Sequence, residues 1–275
     1  MLVPSDCRLC GEPLIRISRL PVCQQCLDQL HPLRGKTCSV CGERVLASYA
    51  ASVEDGFLLC ALCRRVDPPF VRAVAYGSYE TGLRELIHLL KFGGVRPAAN
   101  VLGRMLAEAI THLEPMFQQP TIMVVPVPLH RNKRRERGFN QAELIARAAL
   151  KLNSVQGRLR LCENVLERQR ETRSQIGLTS HQRRENMRGA FAVTRAQEVN
   201  GQEVLVVDDV YTTGTTASEC ARVLLRAGAT RVWVATVART LKIASQHVEI
   251  ASEDAPQVED AADVTEVSLA RAVGG

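Results

Sequence analysis

The sequence predicts an α/β protein: a mostly parallel sheet flanked by helices, with a small four-cysteine-type metal-binding module at the N-terminus. Two observations support this prediction. Strand-like and helix-like segments alternate from about residue 70 to residue 240, as they do when helical crossovers join parallel strands. Before residue 64, eight of the ten cysteines stand in C-x-x-C pairs, a pattern typical of a module that metal ions hold together.

The cysteine pairs define the first predicted domain, residues 1–66, which has few long periodic segments. Two thiolates three residues apart can share one tetrahedral ion, so four pairs predict two Zn²⁺ sites with four cysteine ligands each. We expect sequential pairing, with an interleaved cross-brace and an iron–sulfur cluster as open alternatives. The predicted ligands are Cys7, Cys10, Cys23 and Cys26 at one site, and Cys38, Cys41, Cys60 and Cys63 at the other.

Two glycines and two further cysteines complete the cysteine pattern. Gly11 and Gly42 each follow a pair directly, which fits the turn that brings backbone N–H groups close to the sulfurs. Cys162 and Cys220 stand alone, and we expect them to be ordinary buried thiols.

The second predicted domain, residues 70–240, follows a helix-breaking Pro-Pro step. Runs of β-branched and aromatic residues predict strands at 71–79, 121–128, 201–210 and 231–239. Apolar residues at helical spacing predict helices at 82–92, 98–113, 141–152 and 215–229. The last strand, helix and strand predict a right-handed βαβ crossover. Residues 241–275 are acidic and rich in Ala and Ser, which predicts a disordered tail.

The charge is unevenly distributed along the chain. Residues 130–195 hold 16 Lys and Arg against 6 Asp and Glu, whereas residues 241–275 hold 2 against 7. We therefore expect the middle of the chain to face a polyanion. No apolar run approaches the length of a transmembrane helix and no signal peptide is evident, so we expect a cytoplasmic protein, with a peripheral position at the inner membrane left open.

Asp208 and Asp209 stand at the end of the predicted strand 201–210, directly before a Thr/Gly-rich turn and a helix. Ligands of open α/β sheets gather beyond the carboxyl ends of the strands. The turn offers hydroxyls and backbone N–H groups where a helix begins, which suits a phosphate. The carboxylates would repel a phosphate but accept hydrogen bonds from vicinal ribose hydroxyls. Together these residues predict a sugar-phosphate site.

The stretch VLVVDDVYTTGTT, residues 204–216, resembles the signature with which type I phosphoribosyltransferases bind phosphoribosyl pyrophosphate (PRPP). Outside this stretch, the chain resembles the ComF family, also called ComFC or GntX-like, over residues 5–240. The resembling segments are LKFGG (90–94), VPVPLHRNKRRERGFNQAELIA (125–146), TRSQIGLTSHQRRENMRGAF (172–191) and the cysteine-rich N-terminus.

The resemblance implies a type I phosphoribosyltransferase fold that binds PRPP with Mg²⁺. The implied PRPP ligands are Asp208, Asp209, Thr212, Thr213, Gly214, Thr215 and Thr216, and the two aspartates are also the implied catalytic residues. The implied contacts to pyrophosphate or nucleic acid are Lys91, Arg131, Arg135 and Arg137, while Thr172 and Gln175 match a T-x-x-Q element.

Several of these basic residues have ordinary structural alternatives. Arg131 to Arg135 could form a solvated turn, and Lys91 could be a surface lysine that ends a helix. His130 could contact a ligand or only fill space in a loop. Phe92 and Trp233 are assigned to packing.

The resemblance implies a role in DNA uptake or utilisation, as in natural competence, through binding of single-stranded DNA and with a DNA-uptake or helicase protein as partner. Aromatic residues make up only 4% of the chain, which argues against an extensive base-stacking surface. The alternative is a catalytically active phosphoribosyltransferase in nucleotide salvage, whose acceptor the sequence does not identify. We expect the zinc to be structural. The alternative is that the zinc module contacts DNA directly.

Overall fold

The computed structural model describes residues 5–15, 18–45, 52–53, 57–152, 157–171 and 180–241. The predicted tail falls almost wholly outside these ranges, as do Thr172 and Gln175. In the described part of the chain, no helix is both long and apolar enough to cross a membrane.

The helices and strands alternate as the sequence predicts. The strands are β1 (Ser52–Val53), β2 (Phe57–Leu58), β3 (Arg72–Ser78), β4 (Ile122–Pro126), β5 (Leu159–Leu161), β6 (Leu166–Arg168), β7 (Phe191–Val193), β8 (Glu203–Tyr211) and β9 (Arg231–Arg239). The helices are α1 (Gln24–Asp28), α2 (Thr81–Lys91), α3 (Ala98–Thr111), α4 (Arg131–Arg137), α5 (Gln141–Leu152), α6 (Ser180–Met187), α7 (Ala196–Val199) and α8 (Thr215–Arg226). A 3₁₀ turn, Glu114–Met116, follows α3. All four predicted strands and all four predicted helices are confirmed.

A five-stranded parallel sheet in the order β3-β9-β8-β4-β5 forms the centre of the fold. The parallel arrangement brings the carboxyl ends of β3, β9, β8 and β4 to one edge. Edge strand β5 and the antiparallel hairpin β6–β7 were not predicted, because three-residue strands are too short to show a clear period.

Two apolar cores cover the two faces of the sheet. Side chains of successive strand residues point to opposite faces, so Leu205 and Val207 of β8 join one core while Val204 and Val206 join the other. Helices α2, α3 and α5 cover the first face, and α8 with the β6–β7 hairpin covers the second. Trp233 is buried in the first core, which confirms its packing role.

The cysteine-rich segment packs directly onto the sheet. Cys7 belongs to the first core, and Cys38 and Cys41 belong to the second. At the edge strand β3, the Ala73 N–H donates to the Val40 carbonyl over 2.7 Å. The two four-cysteine groups therefore pack against opposite faces of one sheet.

Candidate functional site

A cavity lies at the point where the order of the strands reverses. The crossover after β4 leads through α5 to β5, whereas the crossover after the neighbouring β8 leads through α8 to β9 on the other side. Such a divergence opens a crevice beyond the carboxyl ends of the two strands. The cavity has a volume of about 230 Å³ and is lined by Tyr79, Lys91, Val127, Pro128, Leu129, Gln141, Arg168, Asp208, Asp209, Val210, Thr212 and Thr216.

Both predicted aspartates line this cavity, in different surroundings. The Asp209 side chain is 4% exposed and pairs with the Lys91 ammonium. Gln141 at the start of α5 donates from Nε2 to Asp209 Oδ1 over 3.1 Å. Asp208 is half-buried, and its Oδ1 accepts the backbone N–H of Asp209 over 2.9 Å. Consecutive strand residues point to opposite faces, so the two carboxylates reach the cavity from different sides.

These surroundings shift the two carboxyl groups in opposite directions. Burial and the adjacent Asp209 carboxylate raise the pKa of Asp208 well above its ordinary value. Burial also acts on Asp209, but the Lys91 ammonium outweighs it and lowers the pKa of Asp209. Burial likewise opposes the charge on Lys91, yet Asp209 outweighs that effect and raises the pKa of Lys91. The site therefore combines a stable buried ion pair with a second carboxyl group that resists ionisation.

The Thr/Gly-rich turn connects β8 to α8. Thr212 and Thr216 line the cavity, whereas Thr213, Gly214 and Thr215 form the bend between them. Gly214 is the N-cap of α8, in the left-handed region at φ 76°. The first N–H groups of a helix have no partner inside the helix, so α8 presents donors at this end of the sheet.

Gly214 is also required by its neighbour Tyr211. A Cβ at Gly214 would overlap the Tyr211 hydroxyl and lie 2.6 Å from Cζ. Tyr211 is itself buried, because the Arg239 guanidinium lies 5.0 Å from its ring centroid and Phe70 packs edge-on at 6.4 Å. The turn therefore rests on a fixed aromatic ring.

The basic run after β4 forms the short helix α4 rather than an open turn. Arg131 and Arg135 are exposed, do not line the cavity, and form no ion pair with a carboxylate among the described residues. Arg137 is half-buried and donates to Gln141, which does line the cavity. Of the four predicted cationic contacts, Lys91 therefore lines the cavity, and Arg137 contacts a residue that lines it.

The sequence left the role of His130 open and assigned Phe92 to packing. His130 is the N-cap of α4, and its Nδ1 accepts the Asn132 N–H over 3.4 Å. The assignment of Phe92 to packing is wrong, because its side chain is 73% exposed at the carboxyl end of α2. The apolar stripe of α2 is buried without it.

Sequence reasoning singled out no role for two polar residues of the cavity, Tyr79 and Arg168. Gln141 belongs to the segment RGFNQ (137–141), which matches the family, whereas Tyr79 is the last residue of the predicted strand 71–79. Arg168 reaches the cavity from the short hairpin strand β6, where its guanidinium lies 5.6 Å from the Phe191 ring centroid. No local pattern distinguishes Arg168 from other arginines, because only the tertiary fold brings β6 to the cavity.

The eight paired cysteines gather into two groups of four. In each group the sulfurs lie within 4.8 Å of one another, and the groups are Cys7, Cys10, Cys23, Cys26 and Cys38, Cys41, Cys60, Cys63. Sequential pairing is thus confirmed and the cross-brace is wrong. The sulfurs of Cys10 and Cys23 are 3.7 Å apart and those of Cys41 and Cys60 are 3.6 Å apart. A tetrahedral ion with Zn–S bonds of about 2.3 Å requires edges of about 3.8 Å, so both groups fit such an ion.

The turns around the sulfurs agree with this geometry. Gly11 and Gly42 adopt φ of 81° and 71°, as expected for glycines that close these turns. Cys7 Sγ accepts the Cys23 N–H over 3.3 Å. Cys162 and Cys220 are buried and belong to neither group, which confirms their prediction.

Curated relatives match the chain over most of its length. The DNA utilization protein YhgH of Escherichia coli strain K12 is 32% identical over 244 residues, which is 88% of this chain and 100% of the relative. The chain belongs to the ComF family. Within it, Competence protein F of Haemophilus influenzae is 28% identical, covering 79% of this chain and 96% of the relative. Competence protein ComFC of Bacillus subtilis is 25% identical, covering 75% and 79% respectively.

A second comparison concerns the domain that holds the cavity. The family described as "Phosphoribosyl transferase domain" matches residues 142–258. In this ComF family member, the match includes β8, the two aspartates and the turn into α8. The parallel sheet, the domain match and the cysteine groups together establish a phosphoribosyltransferase-type fold with an N-terminal four-cysteine module.

Proposed function

We propose that the cavity binds PRPP, with its ribose over Asp208 and Asp209 and its 5′-phosphate in the turn 212–216. The observation that carries this proposal is the junction of two aspartate side chains and a helix N-terminus in one cavity. Carboxylates accept hydrogen bonds from sugar hydroxyls, whereas the amide groups of a helix N-terminus favour a phosphate. The aspartates would repel a phosphate, and the helix N-terminus has no preference for sugar hydroxyls. A sugar phosphate provides a matching group for each of the two.

The opposite end of the ligand would face the cations. Lys91 in the cavity and Arg137 beside Gln141 provide positive charge on the α2 and α4 side, where pyrophosphate would lie. Arg131 and Arg135 are exposed on the same short helix and would contact the outer phosphate or a polyanion. Mg²⁺ bound with PRPP would supply further positive charge for the pyrophosphate.

In a phosphoribosyl transfer the bond from C1 to the new acceptor forms as the bond from C1 to pyrophosphate oxygen breaks. Positive charge develops on the ribose ring during this step, and the Asp209 carboxylate, whose pKa Lys91 lowers, would stabilise it. The protein thus contributes position and electrostatics without a covalent nucleophile. The acceptor is a separate question for the assays below.

We propose Zn²⁺ as the ion at both four-cysteine groups, in a structural role. Four thiolates with tetrahedral spacing favour Zn²⁺ over harder cations. Because Cys7, Cys38 and Cys41 lie within the two cores of the sheet, metal binding would stabilise the same fold that forms the cavity.

We propose that the protein acts in DNA uptake or utilisation by binding single-stranded DNA. The relatives are named for DNA utilization and competence, and the exposed cations of α4 provide a surface for phosphates. Catalysis in nucleotide salvage is the alternative, and the match to the phosphoribosyl transferase domain favours it. Both functions require PRPP binding, so that measurement comes first.

The decisive experiment is calorimetric titration of the zinc-loaded protein with PRPP and Mg²⁺. We expect Asp208→Asn and Asp209→Asn to weaken binding strongly, while Asp28→Asn on α1, an aspartate that does not line the cavity, leaves it unchanged. If both cavity variants bind PRPP like the wild type, the site assignment is wrong.

A salt series with a single-stranded oligonucleotide then separates the two functions. Contacts to phosphates predict that affinity falls steeply with rising salt. Release of pyrophosphate with one nucleobase, together with no oligonucleotide binding at low salt, would favour the salvage enzyme and contradict the DNA role.

A further inference from the structure

An exposed aromatic ring lies beside the cavity, joined to it by a row of ring contacts. Tyr79 lines the cavity, and its hydroxyl is 2.9 Å from His88 Nε2. The His88 ring in turn packs edge-on against Phe92 at a centroid distance of 5.2 Å. Phe92 is the residue after Lys91, the cation that pairs with Asp209.

Two arginines lie near Phe92: Arg137 contacts its ring, and a Cβ added at Gly138, the next residue, would lie 3.9 Å from Arg96 Nη2. The Arg137 guanidinium lies 5.6 Å from the Phe92 centroid, and Arg96 lies 5.2 Å from the centroid of Phe139. Arg96 and Arg137 form no ion pair with a carboxylate in the part of the chain that the structure describes. The protein thus holds a 73% exposed phenyl ring beside the Arg137 guanidinium, which no described carboxylate pairs with.

We propose that Phe92 is a stacking platform for a base of single-stranded nucleic acid whose phosphates contact Arg96 and Arg137. Proteins that hold single strands combine an aromatic face for the bases with cations for the backbone. The positive charge of Arg96 and Arg137 disfavours a cationic partner. A phenyl ring as exposed as that of Phe92 adds little to a folded core. This inference rests on the DNA role proposed above and assigns that role to a particular surface.

The test measures the affinity of Phe92→Ala for an oligothymidylate and for an abasic strand of the same length. We expect Phe92→Ala to weaken oligothymidylate binding about 5- to 150-fold, the range for one lost base stack, and to leave abasic binding unchanged. Phe92→Leu should behave like Phe92→Ala, while Phe92→Trp should retain the affinity. Phe57→Ala, which removes another exposed phenyl ring at 57% exposure, is the matched control.

Equal affinities of Phe92→Ala and wild type for oligothymidylate would overturn the platform while leaving the DNA role intact. An equal loss on both strands would also overturn it, since an abasic strand has no base to stack. If the wild type binds neither strand at low salt, the DNA role itself fails together with the platform. PRPP affinity serves as the separate check that Phe92→Ala leaves the cavity intact.

A second and independent inference concerns Arg239, which connects a cysteine group to the Thr/Gly-rich turn. Arg239 ends the interior strand β9 and is 2% exposed. It donates to the carbonyl of Cys41 and, over 2.7 Å, to Glu43 Oε2. Its guanidinium also lies 5.0 Å from the centroid of Tyr211, the ring on which Gly214 rests.

The approach between the cysteine turn and the sheet is close. A Cβ at Gly42 would lie 3.0 Å from the Ala73 carbonyl oxygen and 3.4 Å from Arg239 Nη1. The Thr240 N–H donates to the Tyr211 carbonyl over 2.9 Å, which holds the backbone of Tyr211 against the end of β9. A movement of the Cys41 turn would therefore displace Arg239, then Tyr211, and then the turn 212–216.

We infer that Arg239 is a positioning residue through which the second cysteine group holds the phosphate-binding turn in place. The proposal rests on the phosphate role of that turn for its functional meaning, and its structural content can be measured separately. Metal loss at the second group would loosen the turn, whereas metal loss at the first group would not.

The test compares Arg239→Ala with Arg158→Ala in the zinc-loaded protein. Arg158 is a matched control at the opposite end of the sheet, where it lies 5.7 Å from the Phe117 centroid and donates to the Phe117 carbonyl over 2.8 Å. We expect Arg239→Ala to speed amide hydrogen exchange across 212–216 and to weaken PRPP binding roughly 10- to 100-fold, as misplaced ligand-holding groups do. Arg158→Ala should do neither.

Metal removal provides the second measurement. Cys10→Ser, which disrupts only the first group, should leave exchange across 212–216 unchanged, whereas Cys60→Ser should speed it as Arg239→Ala does. Equal exchange across the turn in Arg239→Ala and Arg158→Ala would overturn the inference. Failure of the wild type to bind PRPP would instead refute the proposed function, because the exchange measurement requires no ligand.

Discussion

Replacement of Gly214 by alanine tests the fixed geometry of the phosphate-binding turn. The substitution places a side chain at φ 76°, which costs about 1–2 kcal/mol for a residue other than glycine. The new Cβ would also lie 2.6 Å from Tyr211 Cζ. Because Arg239 and Phe70 enclose that ring, relief requires the turn to move, and overpacking of this kind costs about 1–3 kcal/mol. The sum predicts a loss of roughly 2–5 kcal/mol in the free energy of unfolding.

Gly201→Ala is the control that separates the two contributions. Gly201 has nearly the same φ, 75°, but nothing lies within 4 Å of its added Cβ. Urea unfolding should therefore show a loss of only about 1–2 kcal/mol for Gly201→Ala. PRPP affinity should fall for Gly214→Ala alone, and adding Tyr211→Phe should recover part of the stability by removing the overlapping hydroxyl. Equal losses of stability in the two alanine variants would refute the role assigned to Tyr211.

Three further predictions concern the carboxylates and the metal groups. Asp208→Asn should stabilise the protein at pH 7 while weakening PRPP binding. Because the pKa of Asp208 is raised in the folded state, the free energy of unfolding of the wild type falls as pH rises above about 4. The stability gained by Asp208→Asn should therefore vanish in unfolding curves recorded below that pH. Lys91→Met should lower the free energy of unfolding by about 3–5 kcal/mol at pH 7, because it leaves Asp209 buried without its cation. This loss should shrink as acid protonates Asp209, and a constant loss down to pH 3 would contradict the assignment. Cys10→Ser should reduce bound zinc from two ions to one by elemental analysis, and retention of both would show that the first group is not a four-cysteine site.

Local patterns in the sequence encode several parts of this protein. Periods of two and of 3.6 residues located the main strands and helices, since each element buries one face in a core. The spacing of the cysteine pairs indicated two metal groups. The run from Val204 to Thr216 identified a sugar-phosphate site, because its strand end, carboxylates and helix start are contiguous in the chain.

Tertiary structure alone decided which distant residues meet at that site. Lys91, Gln141 and Arg168 reach the cavity from three elements far apart in sequence, and no local period records that convergence. The same holds for Phe92, which a helical pattern assigns to a core although the helix ends before its ring is covered. The choice between sequential and interleaved cysteine pairs also required the fold, because both arrangements satisfy the spacing. The physical reason is common to all of these cases: the topology of the parallel sheet, rather than any short segment, sets the distances between side chains of different elements.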